Sequence, residues 1–171
     1  MKLHLGCSNK RLPLPWLNCD SLPGSDWTLN LLDLSDLATN SCSQIYSSHT
    51  IEHIEFDSIP GVLAGLHRVI RPGGKLTLAT IDIVGIYRER YLKGVRAASW
   101  LSALYGDSHD LDRPFVSHRC AFDARLLTQL LQDAGFHDVR SWEPCEYPEI
   151  LNLHDCASTD RDVSLLLEGL A

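Results

Sequence analysis

The stretch Ser58–Asp82, SIPGVLAGLHRVIRPGGKLTLATID, holds two periodicities joined by one turn. Ile59, Val62, Leu63, Leu66 and Ile70 recur at three- and four-residue spacing, which predicts a helix over Ser58–Ile70 capped by Ser58. Pro72-Gly73-Gly74 ends it. Lys75–Ile81 then alternates apolar and polar residues, the two-residue period of a strand. Upstream, short apolar runs at Lys2–Leu5, Trp16–Cys19, Leu29–Leu32 and Gln44–Ser48 read as four more strands. Strands alternating with helical patterns predict an α/β fold with a largely parallel sheet.

Downstream, Val84–Leu104 has a helical pattern, with Gly94 as a weak point inside it. Gly106–His118 reads as a polar loop. Asp123 caps the next helix and Phe122 can staple to Leu127. Leu126, Leu127, Leu130, Leu131 and Ala134 form its buried stripe, and Gly135 ends it. His137–Trp142 and Val163–Glu168 complete roughly seven strands, the last pair able to run antiparallel at the C-terminal edge.

The chain has 171 residues, near the size of one domain, and 44% are hydrophobic, which excludes wholesale disorder. A formal net charge of -7 argues against non-specific binding to nucleic acid or an anionic membrane. No apolar run approaches the roughly 20 residues of a membrane span. The polar break in MKLHLG comes too early for a signal peptide, so a cytoplasmic protein is expected. The six cysteines form no C-x-x-C pair and read as reduced, mostly buried thiols.

In such a sheet, ligands bind beyond the carboxyl ends of the strands. Gly6-Cys7-Ser8 follows the first strand, and Gly6 lets the backbone turn close to a ligand. Asp20 follows the second, where a carboxylate can accept from both ribose hydroxyls or simply close a turn. Asp33-Leu34 follows the third, a polar and an apolar group suited to an adenine amine and its face, or to a capping turn.

The order LHLGCS, WLNCD, DLSDL, IYSSHTIEHI, HRVIRPGGKLTLATID and LLTQLLQDAGF resembles a class I S-adenosylmethionine-dependent methyltransferase over Lys2–Gly169. The likeness is nearest to small uncharacterised members grouped with sugar and polysaccharide genes. It implies one Rossmann-like domain over residues 1–171, with a seven-stranded, mostly parallel sheet, helices on both faces and an antiparallel C-terminal edge strand. By the resemblance, Gly6 lies under the methionine part of S-adenosyl-L-methionine and Asp20 on the ribose. Asp33 and Leu34 take the adenine, and Ser47, Ser48 and His49 flank the methionine. His4 stands where many members have Asp or Glu, and Ser8 where many have Gly. The first strand follows directly on Met1, so the helices that relatives place before it are expected to be missing. That would leave apolar surface open, which predicts self-association as a homodimer.

Two rival readings use the same residues. His4, Ser8 and the missing cover fit a degenerate member that binds cofactor without transfer. His49-Thr50-Ile51-Glu52-His53 matches the H-x-x-E-H pattern of a zinc hydrolase. That pattern needs a stable helix and a third ligand. Here it follows a strand and meets Phe56-Asp57-Ser58, so no metal is expected. For methyl transfer to a small or sugar-like acceptor, the candidate bases are His49, Asp82, His109 and His118. His118 and His49 are preferred, with Gly106–His118 expected to act as a lid.

Overall fold

The computed structural model describes residues 1–106, 117–153, 155, 157 and 161–171, apart from the side chains of Ala98 and Asp162. His109 and the body of the expected lid lie outside the described residues.

The expected seven-stranded sheet forms, in the order β3-β2-β1-β4-β5-β7-β6. Its strands are β1 (Lys2–Leu5), β2 (Trp16–Asp20), β3 (Trp27–Thr28), β4 (Cys42–Ser48), β5 (Ile70–Ile81), β6 (His137–Ser141) and β7 (Ser164–Leu170). The pairs β1–β2, β1–β4, β2–β3 and β4–β5 are parallel. β7 runs antiparallel to both β5 and β6, so the C-terminal strand lies one place in and β6 takes the edge. The order reverses between β1 and β4, and that switch opens a crevice at their carboxyl ends.

The strands alternate their faces. Leu3, Leu5, Ile45, Leu76, Leu78, Leu165 and Leu167 join one core with helices α1 (Ile59–Val69) and α4 (Ala124–Asp133). Tyr46, Ala79 and Leu166 face the other way, against Leu12, Trp142 and the short helix α5 (Pro148–Leu151). Both faces are covered, but the second mostly by loop. That second face buries polar side chains. His4 donates from Nδ1 to Oδ1 of Asn18 at 3.1 Å and packs its ring 5.2 Å from that of Tyr46. The Tyr46 hydroxyl donates to Asp155.

Several sequence expectations need correction. Ser58 precedes α1 but its side chain makes no capping hydrogen bond, and Leu126 is exposed on α4 instead of lying in its buried stripe. The third strand is Trp27–Thr28, not Leu29–Leu32. Asn30 ends the ladder by accepting Leu32 N–H on its side chain and Asp33 N–H on its carbonyl, both at 3.0 Å. The helical pattern over Val84–Leu104 is not one helix. It splits into α2 (Ile83–Ile86), a π-helical turn (Tyr87–Tyr91) and α3 (Ala97–Tyr105), parted at Gly94 with φ +67°. β5 starts at Ile70, five residues early, with a register shift where Pro72-Gly73-Gly74 bulges out. Gly73 N–H there donates to the Ala171 carbonyl at 2.7 Å.

The thiols of Cys7, Cys19, Cys42, Cys120 and Cys145 are free, the first three buried. Among the described residues, no helix is long and apolar enough to cross a membrane.

Candidate active site

The chain turns sharply where β1 ends. Gly6 adopts φ +68°, and a Cβ there would lie 2.1 Å from Oγ1 of Thr50. Thr50 follows β4, so the missing side chain is what lets the two strand ends close on each other. Ser8 also takes the left-handed region, at φ +46°, where glycine would sit without strain. Asp20 holds it there. Its Oδ2 accepts Ser8 N–H at 2.8 Å and its Oδ1 accepts Leu22 N–H at 3.0 Å. A carboxylate has about four acceptor positions, so two remain for a ligand.

At the end of β4, Ser47 Oγ donates to the Leu5 carbonyl at 3.2 Å and ties β4 to β1. Ser48 Oγ is buried and has no partner among the described residues. Gly6, Asp20 and Ser48 thus sit around one crevice, linked through Ser8 and Thr50. Asp33 and Leu34 make their contacts elsewhere. Asp33 Oδ1 accepts Ser35 N–H at 3.0 Å, and Leu34 packs on α1 opposite Gly65. With Arg68 they line a cavity of about 380 Å³.

A second group gathers beside the crevice. His49, at φ +47°, places Nδ1 2.9 Å from Oε1 of Glu52 and Nε2 2.8 Å from Oγ of Ser164. Both ring nitrogens are therefore engaged. Glu52 is fully buried, and its Oε2 accepts from the Thr80 hydroxyl at 2.9 Å. Burial pushes this carboxyl up, but the hydrogen bond and charge of His49 more than offset it, leaving Glu52 below its ordinary value.

The segment Ser117–Phe122, just before α4, is stitched to the same turn. The Glu52 carbonyl accepts Arg119 N–H at 2.7 Å and Cys120 N–H at 3.3 Å. Arg119 pairs with Glu55. Cys120 Sγ packs against the carbonyls of Ile51, Glu52 and Ile54, and burial raises its pKa to about 11. His118 is thereby brought to Glu52, its ring centroid 5.0 Å from that of His53. Burial lowers the His118 pKa, with the Glu52 charge opposing only in part.

The stretch His49–His53 is not a zinc-binding helix. Its helical part is a single 3-10 turn, Ile51–His53, and His49 lies outside it in left-handed backbone. Among the described residues, those able to share an ion are Glu52, His53 and His118, not His49. Asp82 caps α2 by accepting Val84 N–H at 3.0 Å. Thr80 and Ser164 were not legible as site residues, since each is an ordinary strand position in sequence.

A family model for a methyltransferase domain matches residues 23–141. No curated protein matches the chain. Among solved structures, a SAM-dependent methyltransferase from Archaeoglobus fulgidus is 11% identical, with TM-score 0.63 over 99% of this chain and 85% of that one. An S-adenosylmethionine-dependent methyltransferase from Mesorhizobium loti is 17% identical, with TM-score 0.55 over 99% and 90%. Phosphoethanolamine N-methyltransferase 2 of Haemonchus contortus, in complex with S-adenosyl-L-methionine, is 11% identical, with TM-score 0.52 over 99% and 48%. These likenesses show the fold, and the family match spans well over half of the residues. The chain belongs to the methyltransferase-domain family.

Proposed function

We propose that this protein transfers a methyl group from S-adenosyl-L-methionine to a small or sugar-like acceptor. The carrying observation is the row of carboxyl ends of β1, β2 and β4, which bring a left-handed glycine, a carboxylate with spare acceptor capacity and an unpartnered buried hydroxyl to one edge of the sheet. These residues fit the cofactor. Gly6 gives close backbone approach, Asp20 accepts from the ribose hydroxyls, and Ser48, beside Ser47 and His49, offers its hydroxyl to the methionine end. Asp33 and Leu34 stay our candidates for the adenine. The cofactor supplies an electrophilic methyl on a positively charged sulfur. The chain's part is to align the acceptor with it and to manage the acceptor's proton.

On the acceptor side, His118 presents the unengaged edge of its ring, because its Nδ1 faces the Leu104 carbonyl at 3.3 Å. His49 has no free nitrogen and acts by holding Glu52 in place. The acceptor is bound by the loops, where the sequence carries no further signature. We place the protein in the cytoplasm, working on a small molecule and not on nucleic acid or a membrane surface.

Calorimetry with S-adenosylmethionine and S-adenosylhomocysteine tests the cofactor site. Asp20→Ala is expected to lose about 1–3 kcal/mol of binding. Because Asp20 also holds the Ser8 and Leu22 amides, urea stability is measured alongside. Equal affinity in a folded Asp20→Ala chain would remove the ribose role. No binding to either compound at millimolar concentration would leave a methyltransferase fold without transfer activity. A screen of hydroxyl, amine and carboxylate acceptors with labelled cofactor then identifies the substrate.

A further inference from the structure

We propose that Glu52, His53 and His118 form a binding site for a divalent first-row transition cation such as zinc or cobalt, with open positions toward the acceptor. Each of the three offers one ligand atom, and these atoms lie within 4.8 Å of one another. What surrounds them decides the matter. His53 Nδ1 faces the Ser117 carbonyl at 3.2 Å, and His118 Nδ1 faces the Leu104 carbonyl at 3.3 Å. A carbonyl oxygen only accepts, so each Nδ1 carries the proton and each Nε2 is left as a lone pair. One nitrogen of each imidazole and one oxygen of the fully buried carboxylate lie within 4.8 Å of one another, and Nε2 is the nitrogen each ring has free to give. Three acceptors facing each other repel unless something positive lies between them.

The outer contacts are those a metal site uses. Metal-ligating histidines donate the other ring N–H to a backbone carbonyl, and ligating carboxylates are themselves hydrogen-bonded. Glu52 is hydrogen-bonded through Oε2, which accepts from Thr80, while Oε1 lies 2.9 Å from His49 Nδ1 but is buried without a hydrogen bond, leaving it open to a cation. The donor set of two imidazoles and one carboxylate suits borderline cations over magnesium or calcium, which favour all-oxygen shells. Three protein ligands with the remaining positions open is the pattern of a reactive site, not of a structural one. At metal–ligand distances of about 2.1 Å the ligand atoms would close to roughly 3.4 Å apart. His53 and His118 are both part-exposed and can turn to meet that.

The cation also narrows the substrate class. With the cation bound, His118 Nε2 is a ligand and not a base, and the cation itself eases loss of the proton from a ligating oxygen, which favours an acceptor such as a sugar hydroxyl. This part rests on the methyl-transfer reading. The cation site itself does not.

The test uses the full chain, stripped with chelator and titrated with cobalt(II). Visible d–d absorption is expected to appear and saturate at one equivalent, and zinc should displace it. His118→Asn and His53→Asn should each weaken binding at least about tenfold. His137→Asn, an exposed histidine beside Asp138, should not change it. Circular dichroism confirms that each variant is folded. Absence of a cobalt spectrum at 100-fold excess, or unchanged affinity in both folded variants, overturns the site. Cofactor calorimetry on the stripped protein keeps the two readings apart. Cofactor binding with no cobalt spectrum removes the cation alone, and a cobalt spectrum with no cofactor binding removes methyl transfer alone.

Discussion

Gly6 shows how little freedom a single position leaves. Its left-handed backbone and the Thr50 side chain over it act together, with Oγ1 at 2.1 Å, Cγ2 at 2.6 Å and Cβ at 2.9 Å from where a methyl would sit. Gly6→Ala is therefore expected to cost roughly 2–4 kcal/mol, the sum of left-handed strain and overpacking. Thr50→Ala in the same chain should restore part of the loss, because two of the three close atoms disappear. Urea denaturation of the single and double variants measures this. A Gly6→Ala chain as stable as the parent would show that the turn relaxes, and the crevice would then not depend on it. Ser8 is the companion case. Its left-handed conformation is held by the Asp20 bond, so a departure from glycine that reads as a defect in sequence is absorbed locally.

Elements were legible in the sequence where one face of a periodic run meets a core. The stripes of α1 and α4 were readable because Leu63, Leu66, Leu127 and Leu131 are fully buried at helical spacing. β3 was not, because its apolar neighbours Leu29, Leu31, Leu34 and Leu37 pack into the same core from a turn. The break at Gly94 was legible only as a weak point, since the apolar pattern continues past it while the backbone does not. The residues around that break stay exposed. Tyr87 is 52% accessible, Tyr91 56%, Leu92 61% and Tyr105 59%. An apolar surface of this kind marks an association site, and we propose that a second copy of the chain covers it. Light scattering at high concentration should give a dimer, and Tyr91→Lys should shift it toward monomer. A monomer mass for the parent across the concentration range would refute this.

For the whole molecule, the two sheet faces differ in chemistry. One is mostly apolar under two helices, with Ser47 and Thr80 only near its carboxyl edge, and the other buries His4, Asn18, Thr77 and Glu168 among apolar neighbours. Burial holds His4 below its ordinary pKa of 6.5, with the Asn18 hydrogen bond opposing in part. The unfolded chain recovers the ordinary value, so as the pH falls below 6.5 the unfolded state takes up the proton first. The folded state should lose stability through that window and gain nothing further above it. In His4→Asn the decline between pH 7.5 and 5.5 should be shallower than in the parent, as read by urea unfolding at the two values. Equal declines would mean that His4 does not contribute. In the sequence, His4 could be read only as a missing carboxylate. Its burial follows from Asn18 and Tyr46, residues 14 and 42 positions away that only the sheet register brings alongside. The site was half legible for the same reason. Residues just after strands could be named from the chain, but the meeting of Glu52 with Thr80 and His118, and of His49 with Ser164, arises from pairings across the fold.

The thiol of Cys120 makes that meeting observable in time. It is pinned against three carbonyls at the base of the histidine cluster, and its raised pKa keeps it protonated and unreactive while the contact lasts. Alkylation at Cys120, which is half-buried in that contact, is expected to quicken when the segment Ser117–Phe122 lifts from Ile51–Glu55, so its rate reports those excursions. Exposed Cys145 gives a reference rate in the same molecule. The ratio of the two is a built-in clock for how often the reactive edge comes apart, readable by mass spectrometry with no probe added to the chain.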